Sequence, residues 1–279
     1  MKIRKKFLSM STVAVMSFSL MAAVSTQAHA QEYSSNSKEQ ATKTFAEEPV
    51  MADAWFQTSG EAEALYYQGY NIGKMRLDAA LKKGTKKKPA IVLDLDETVL
   101  NNSQWEALLV KTGKGYPYEW DKFMKSADST ALPGAVDFLK HADKKGVDIY
   151  YITNRAEKYL EPTIKNLQKL GIPQANKDHV FLQKPNEHGK QSRRARVAKD
   201  HDILLYFGDQ LTDFPGFDGK SLKDRNVAVN EDGNKFGNKF IIFPNPMYGK
   251  WEDALYGYKN KSVKQKIELR KDQLQYFKP

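Results

Sequence analysis

The chain has 279 residues and no cysteine. That absence excludes disulfides, thiolate metal sites and every mechanism built on a cysteine nucleophile, so stability must come from an ordinary apolar core. It also leaves no attachment point for a lipid anchor behind a leader peptide. Histidine is scarce: His29, His141, His179, His188 and His201 show neither H-E-x-x-H spacing nor an Arg-His-Gly triplet, which removes zincin and histidine-phosphatase chemistry. G-x-x-x-x-G-K-[ST] and G-x-S-x-G are missing as well, so nucleoside triphosphatases and serine esterases lack their parts. No internal repeat is visible.

The first thirty residues read as an address. "MKIRKK" is a basic start, residues 7–24 form an apolar run softened by serines, and Ala28-His29-Ala30 has the small-x-small form of a signal-peptidase site. Residues 1–30 are therefore expected to be a cleaved signal peptide, with export, a mature chain starting at Gln31 and no stable membrane anchor after cleavage. Without the leader's four basic residues, 40 Lys and Arg stand against 34 Asp and Glu. A surplus spread so evenly describes a lysine-rich soluble surface, one that also suits anionic or phosphorylated ligands.

Residues 31–48 are polar without an apolar period and are expected to form a mobile mature N-terminus. A helical segment follows over 49–88. Ala62, Leu65, Gly69, Ile72 and Met75 recur at helical spacing over 55–81, which predicts one long helix with a buried stripe. Its aromatic-rich part around 55–70 suits a homodimer interface as well as the protein's own core. The lysine run over 82–89 lacks interleaved aromatics, so it reads as a solvated linker, and no nucleic-acid polymer is expected as partner.

From residue 89 to 279 the pattern changes to short β-rich runs separated by helical periods, which predicts α/β architecture around a parallel sheet. Strands are expected at 90–95, 147–153, 180–183, 203–207, 227–229 and 240–243. Pro133 and Gly146 bracket one helix, and Gly171 and Pro173 stop the next. An insert over about 101–132, rich in Trp, Tyr and Lys, is long for a connection and suits a lid.

Three expected strands end in polar residues: "IVLDLDET", "YYITNR" and "LLYFGDQLTD". In an open parallel sheet, loops beyond the carboxyl ends of the strands converge on the ligand. Carboxylates gathered there suit a divalent cation, which offsets their repulsion, and hard oxygen ligands suit magnesium. Asp94 and Asp96 are two apart, so both can serve one site, one attacking while the other handles protons, with Thr98 orienting that acid. Taken singly, Glu97, Asp213 and Asp218 read as solvated loop acids.

D-x-D-x-T after an apolar strand, then a strand ending in Thr, a lysine and G-D-x-x-x-D, resembles the haloacid dehalogenase (HAD) superfamily in its four-aspartate phosphatase branch. "LDLDETVLNN", "YITNR", "YFGDQLTDF", "FPNPMYGKWEDAL" and "WFQTSGEAEALYYQGYN" resemble the bacterial class C acid phosphatases over residues 51–258. The resemblance implies a Rossmann-like, doubly wound parallel sheet with a small, mainly helical cap. That cap would come from the N-terminal helix and the insert. It implies a secreted, magnesium-dependent hydrolase of small phosphomonoesters, aryl phosphates and nucleoside monophosphates among them, working through an aspartyl-phosphate.

It further implies Asp94 as nucleophile and metal ligand, Asp96 as general acid and base that also offers the metal its main-chain carbonyl, Asp209 as the third ligand and Asp213 behind a metal-bound water. Thr153 would bind a phosphate oxygen. The charge-neutralising lysine best matches Lys190, with Lys184, Arg193 and Arg194 as alternatives. Trp120 and Tyr248 match positions that flank the leaving group, or else pack the cap on the core. Two other readings use the same residues: a phosphotransferase on this fold, and a non-catalytic cell-surface binding protein.

Overall fold

The computed structural model describes residues 37–279, so the expected signal peptide and the first part of the expected mobile segment lie outside the described residues. Strand β1 (Lys88–Leu93) lies at the centre of the fold. Its alternate residues serve two cores: Ile91 and Leu93 join one cluster, Ala90 and Val92 the other. A strand apolar on both faces belongs inside a sheet covered on both sides. Strands β4 (Asp148–Ala156), β5 (Val180–Gln183), β6 (His201–Gly208) and β7 (Phe240–Ile242) complete a five-stranded sheet in the order β5-β4-β1-β6-β7. All four pairings are parallel. Every strand thus points its carboxyl end the same way, and the polar strand endings meet at one edge.

Between β1 and β4 the chain forms a two-stranded antiparallel ribbon, β2 (Leu100–Asn101) with β3 (Thr130–Ala131). Helices α4 (Ser103–Thr112) and α5 (Trp120–Ser126) rise between those two strands, in the stretch predicted as an insert. Helix α6 (Ala135–Lys144) ends as expected. Gly146 takes φ 73°, its N–H bonds to Asp143 O, and Val147 N–H bonds to Ala142 O, so a left-handed residue closes the last turn. Gly171, at φ 65°, does the same after α7 (Leu160–Lys169).

The N-terminal region departs from its expected form in three ways. Residues 37–47 form a helix, α1, with Ala46 buried, where a mobile segment was expected. The expected long helix is two: α2 (Val50–Thr58) and α3 (Gly60–Lys83), broken where the Ser59 side chain accepts from Ala62 N–H as an N-cap. The buried stripe of α3 also runs through Tyr66, Gly69, Tyr70, Gly73 and Leu77, while Leu65 and Met75 face solvent. Two glycines explain that choice. A Cβ at Gly69 would come within 2.4 Å of the Phe243 ring, and one at Gly73 within 2.6 Å of Phe207, so the helix lies closer to the sheet than side chains allow. Tyr66 and Tyr70 then stack with Phe243 and Phe207.

The strand expected at 227–229 is instead part of helix α9 (Leu222–Glu231). Ser221 caps it by accepting from Asp224 N–H, and three apolar residues are too few to separate the two periods. Helix α8 (Gln191–Asp200) lies on the same sheet face as that second core, and α10 (Lys250–Leu255) and α11 (Val263–Asp272) close the chain.

Candidate active site

Strand β1 delivers Asp94 at its carboxyl end, where Asp94 N–H still bonds to Phe207 O of β6. The chain then turns sharply: Val99 N–H and Leu100 N–H both return to Leu95 O, and Glu97 takes φ 53°. Helix α3 braces this turn from behind. Tyr66 donates its hydroxyl to Glu97 O at 2.5 Å, and Tyr70 donates to Thr98 O at 2.6 Å. The aromatic stripe that chose the helix register therefore also positions the backbone that follows Asp96.

Asp94, Asp209 and Asp213 are buried and bring carboxylate oxygens within 4.8 Å of one another. Asp209 follows β6 directly, and Asp213 lies in the short turn after it. Lys190, at the N-terminal end of α8, places its Nζ between Asp94 Oδ1 and Asp213 Oδ1, the latter at 2.6 Å. Among the basic residues weighed for that role, Lys190 is the one that reaches the carboxylates. Lys184 is exposed. Arg193 donates to Thr153 O, Phe181 O and Gly189 O, tying α8 to β4, and Arg194 pairs with Asp218 at 2.9 Å.

The three carboxylates exceed the charge that one ammonium can balance. Burial, with repulsion from Asp213, Asp209 and Asp96, holds the Asp94 carboxyl well above the usual range although Lys190 opposes it. Burial and the Asp213 charge push Asp209 up to about 8, against hydrogen bonds from Asn245 and Gln210. Hard, buried oxygen donors this close together and short of positive charge fit a divalent cation.

Asp96 is held apart from that cluster. Arg155 grips its carboxylate, Nη2 to Oδ1 at 2.7 Å and Nε to Oδ1 at 2.9 Å. Asn102 donates to Oδ1 and Thr153 Oγ1 donates to Oδ2 at 3.3 Å. Burial works to raise this carboxyl, but the Arg155 charge and the hydrogen bonds outweigh it and hold Asp96 below the usual range. Thr98 does not orient Asp96, as expected from spacing; its hydroxyl faces Asp209 at 3.5 Å. The tight turn after Leu95 carries Thr98 to the other side.

Glu97 is not the solvated loop acid that its sequence context suggested. It is fully buried, accepts from Asn102 N–H at 2.8 Å and receives the Tyr248 hydroxyl, which ties the turn to residues 245–249. Asp213 is likewise buried, while Asp218 is exposed. Trp120 and Tyr248 line the same cavity of about 920 Å³ as Asp94 and Asp96, and Trp120 packs edge-on against Trp105 with ring centroids 4.7 Å apart.

Arg155 is the residue that sequence reasoning left without a role. It stands two positions after Thr153, on the same face of β4, and that parity was the available signal. Asn245 gave none, since it reaches Asp209 across the fold, and Asn102 and Gln210 gave none because only the turns that carry them aim their amides at Asp96 and Asp209.

A 60% identical relative of known structure, the class C acid phosphatase from Bacillus anthracis, superposes with a TM-score of 0.83 over 84% of this chain and 99% of its own. A second crystal structure of that enzyme has tungstate bound, with the same identity and coverage. Class B acid phosphatase of Xenorhabdus bovienii is 29% identical over 184 residues, which span 58% of this chain and 76% of that protein. Acid phosphatase 1 of Solanum lycopersicum is 24% identical over 69% of this chain and 76% of its own. The family description "HAD superfamily, subfamily IIIB (Acid phosphatase)" matches residues 4–251, and the chain accordingly belongs to that family of phosphomonoester hydrolases.

Proposed function

We propose that the protein is a secreted, magnesium-dependent acid phosphatase that hydrolyses small phosphomonoesters through an aspartyl-phosphate on Asp94. The observation that carries this reading is the meeting of Asp94, Asp209 and Asp213 within 4.8 Å, with Lys190 between two of them. Tungstate, held by the B. anthracis relative, is a tetrahedral oxyanion like phosphate, which supports a phosphoryl site here. The basic and apolar leader and its Ala-x-Ala end support export.

In this scheme the Asp94 carboxylate attacks phosphorus in line, forming one P–O bond as the ester P–O bond breaks. Asp96, which Arg155 holds ionised, first takes up a proton from acid solution; it gives that proton to the departing oxygen, then takes one from the water that releases phosphate and regenerates Asp94. Thr153 and Lys190 bind phosphoryl oxygens. The Asp94 and Asp209 side chains and the Asp96 main-chain carbonyl would hold magnesium, with Asp213 behind them. Magnesium supplies positive charge against the oxygens of the transferring group. Trp120 and Tyr248 flank the aryl or nucleoside portion of the leaving group.

Full chelation with EDTA is expected to stop phosphate release from p-nitrophenyl phosphate, and added magnesium to restore it. Turnover that survives chelation would end the metal-dependent scheme. Arg155 tests the role given to Asp96. Lysine keeps a charge but not the two-pronged grip, so Arg155→Lys should lower kcat by about 10²-fold on alkyl phosphates, the scale of general acid catalysis. Aryl phosphates, whose leaving groups need little protonation, should lose much less. Equal losses on both would mean that Arg155 only supports the fold.

A further inference from the structure

The cavity that holds Asp94 and Asp96 is also lined by Trp105 and Tyr116 and by a second acidic group, Asp53 of α2, Glu106 of α4 and Glu252 of α10, whose charges act on one another. Asp53 is only 4% exposed, and neither of its carboxylate oxygens has a hydrogen-bond partner. An unpartnered buried carboxylate is costly, and natural proteins seldom keep one without a use for it. Burial pushes Asp53 up to about 6; burial and the charges of Asp53 and Glu252 push Glu106 up to about 8.

Two of the cations that line this part of the cavity, Arg270 and Lys250, are already engaged. Arg270 donates to Glu252 Oε1 and to Glu48 Oε2, each at 2.5 Å, and lies over the Phe45 ring at 4.0 Å. Lys250 pairs with Asp253 at 2.7 Å, and Lys114 stands exposed at the rim. Among the described residues, no basic side chain pairs with Asp53 or Glu106. A bare metal ion does not suit them either: among the described residues, only Asp94, Asp209 and Asp213 gather three carboxylate oxygens within 4.8 Å. An ammonium group, with N–H donors that fan outward, is satisfied by more widely spaced acceptors, and aromatic rings such as Trp105 and Tyr116 favour it further.

We propose that Asp53 and Glu106 receive an ammonium group at the far end of the leaving group, so that phosphomonoesters of amino alcohols are preferred substrates. This rests on the phosphomonoesterase reading above and adds the class of alcohol. The pocket binds phosphate at its cationic, metal-binding end and positive charge at its acidic end, which sets both the orientation and the length of the substrate.

The test, run at about pH 8 where Asp53 is ionised, compares aminoalkyl phosphates of graded chain length with hydroxyalkyl phosphates of equal length. At the fitting length kcat/KM should favour the amine by about tenfold or more, the worth of one partly desolvated charge pair. The double variant Asp53→Asn, Glu106→Gln should bring that ratio to about one. Because the substitutions remove buried charge, the variant should melt no lower than wild type, so a lost ratio does not report unfolding. A wild-type ratio near one at every length, or a preference that survives both substitutions, overturns the proposal. Calorimetric titration with an alkylammonium chloride reads the subsite without turnover: saturable binding in wild type and none in the variant supports it, and no binding in wild type overturns it. If the ammonium binds while no phosphomonoester is hydrolysed, the subsite stands and the phosphatase reading alone fails.

Discussion

Asp94→Asn protein should release no detectable phosphate from any phosphomonoester, a loss on the order of 10⁵-fold or more, as for other covalent nucleophiles. The substitution keeps the shape of the side chain and removes its charge and nucleophilicity. Because burial and the neighbouring carboxylates already work against an ionised Asp94, a neutral amide there relieves repulsion with Asp209 and Asp213. The variant is therefore expected to fold and to melt at or above the wild-type temperature in the absence of metal. Phosphate release and thermal melting on the same sample separate the two effects. Activity within tenfold of wild type would show that Asp94 is not the attacking group, and a collapsed melt would show that its charge supports the fold.

Lys190→Met should be damaging in both respects. The Lys190 ammonium is 3% exposed and lies between Asp94 and Asp213. Removing it leaves two buried carboxylates without their common partner, which costs about 3–5 kcal/mol for a broken buried ion pair. Magnesium should recover part of that loss, because a divalent cation placed among the same carboxylates offsets the same repulsion. The rate should not recover with it. A preorganised positive charge on a phosphoryl oxygen is worth about 10²–10³ in kcat, and methionine offers none. Lys190→Arg should regain stability without the rate, since a planar fork does not aim one point charge at two carboxylates and a phosphate. Melting curves with and without magnesium, alongside kcat, check all three statements. Activity of Lys190→Met within tenfold of wild type would remove Lys190 from the phosphate site.

Several features are legible in the sequence alone. The apolar runs at β1, β4, β5, β6 and β7 were each recognisable, because a buried parallel strand must be apolar on both faces. The polar endings of β1, β4 and β6 identified Asp94, Asp96, Thr153 and Asp209, since chain direction in a parallel sheet forces those ends together. Residues 227–229 were misread because three apolar residues fit a strand and a helix face equally, and the Ser221 cap decided the matter. The face of α3 was misread because two stripes of the same period compete there, and only the sheet beneath could select the one with glycines at its closest approach.

The amino-acid order alone determined the sheet's strands and the acidic character of the edge where they end. Both follow from burial and chain direction, which are local properties. The tertiary structure decided which base serves which acid: Lys190 for Asp94 and Asp213, Arg155 for Asp96 and, among the described residues, none for Asp53. Those pairings join residues 96, 23 and 59 positions apart, and no local period carries information over such separations. They exist because β1 sits between β4 and β6 and α8 enters from the side, an arrangement set by packing whole elements against one another.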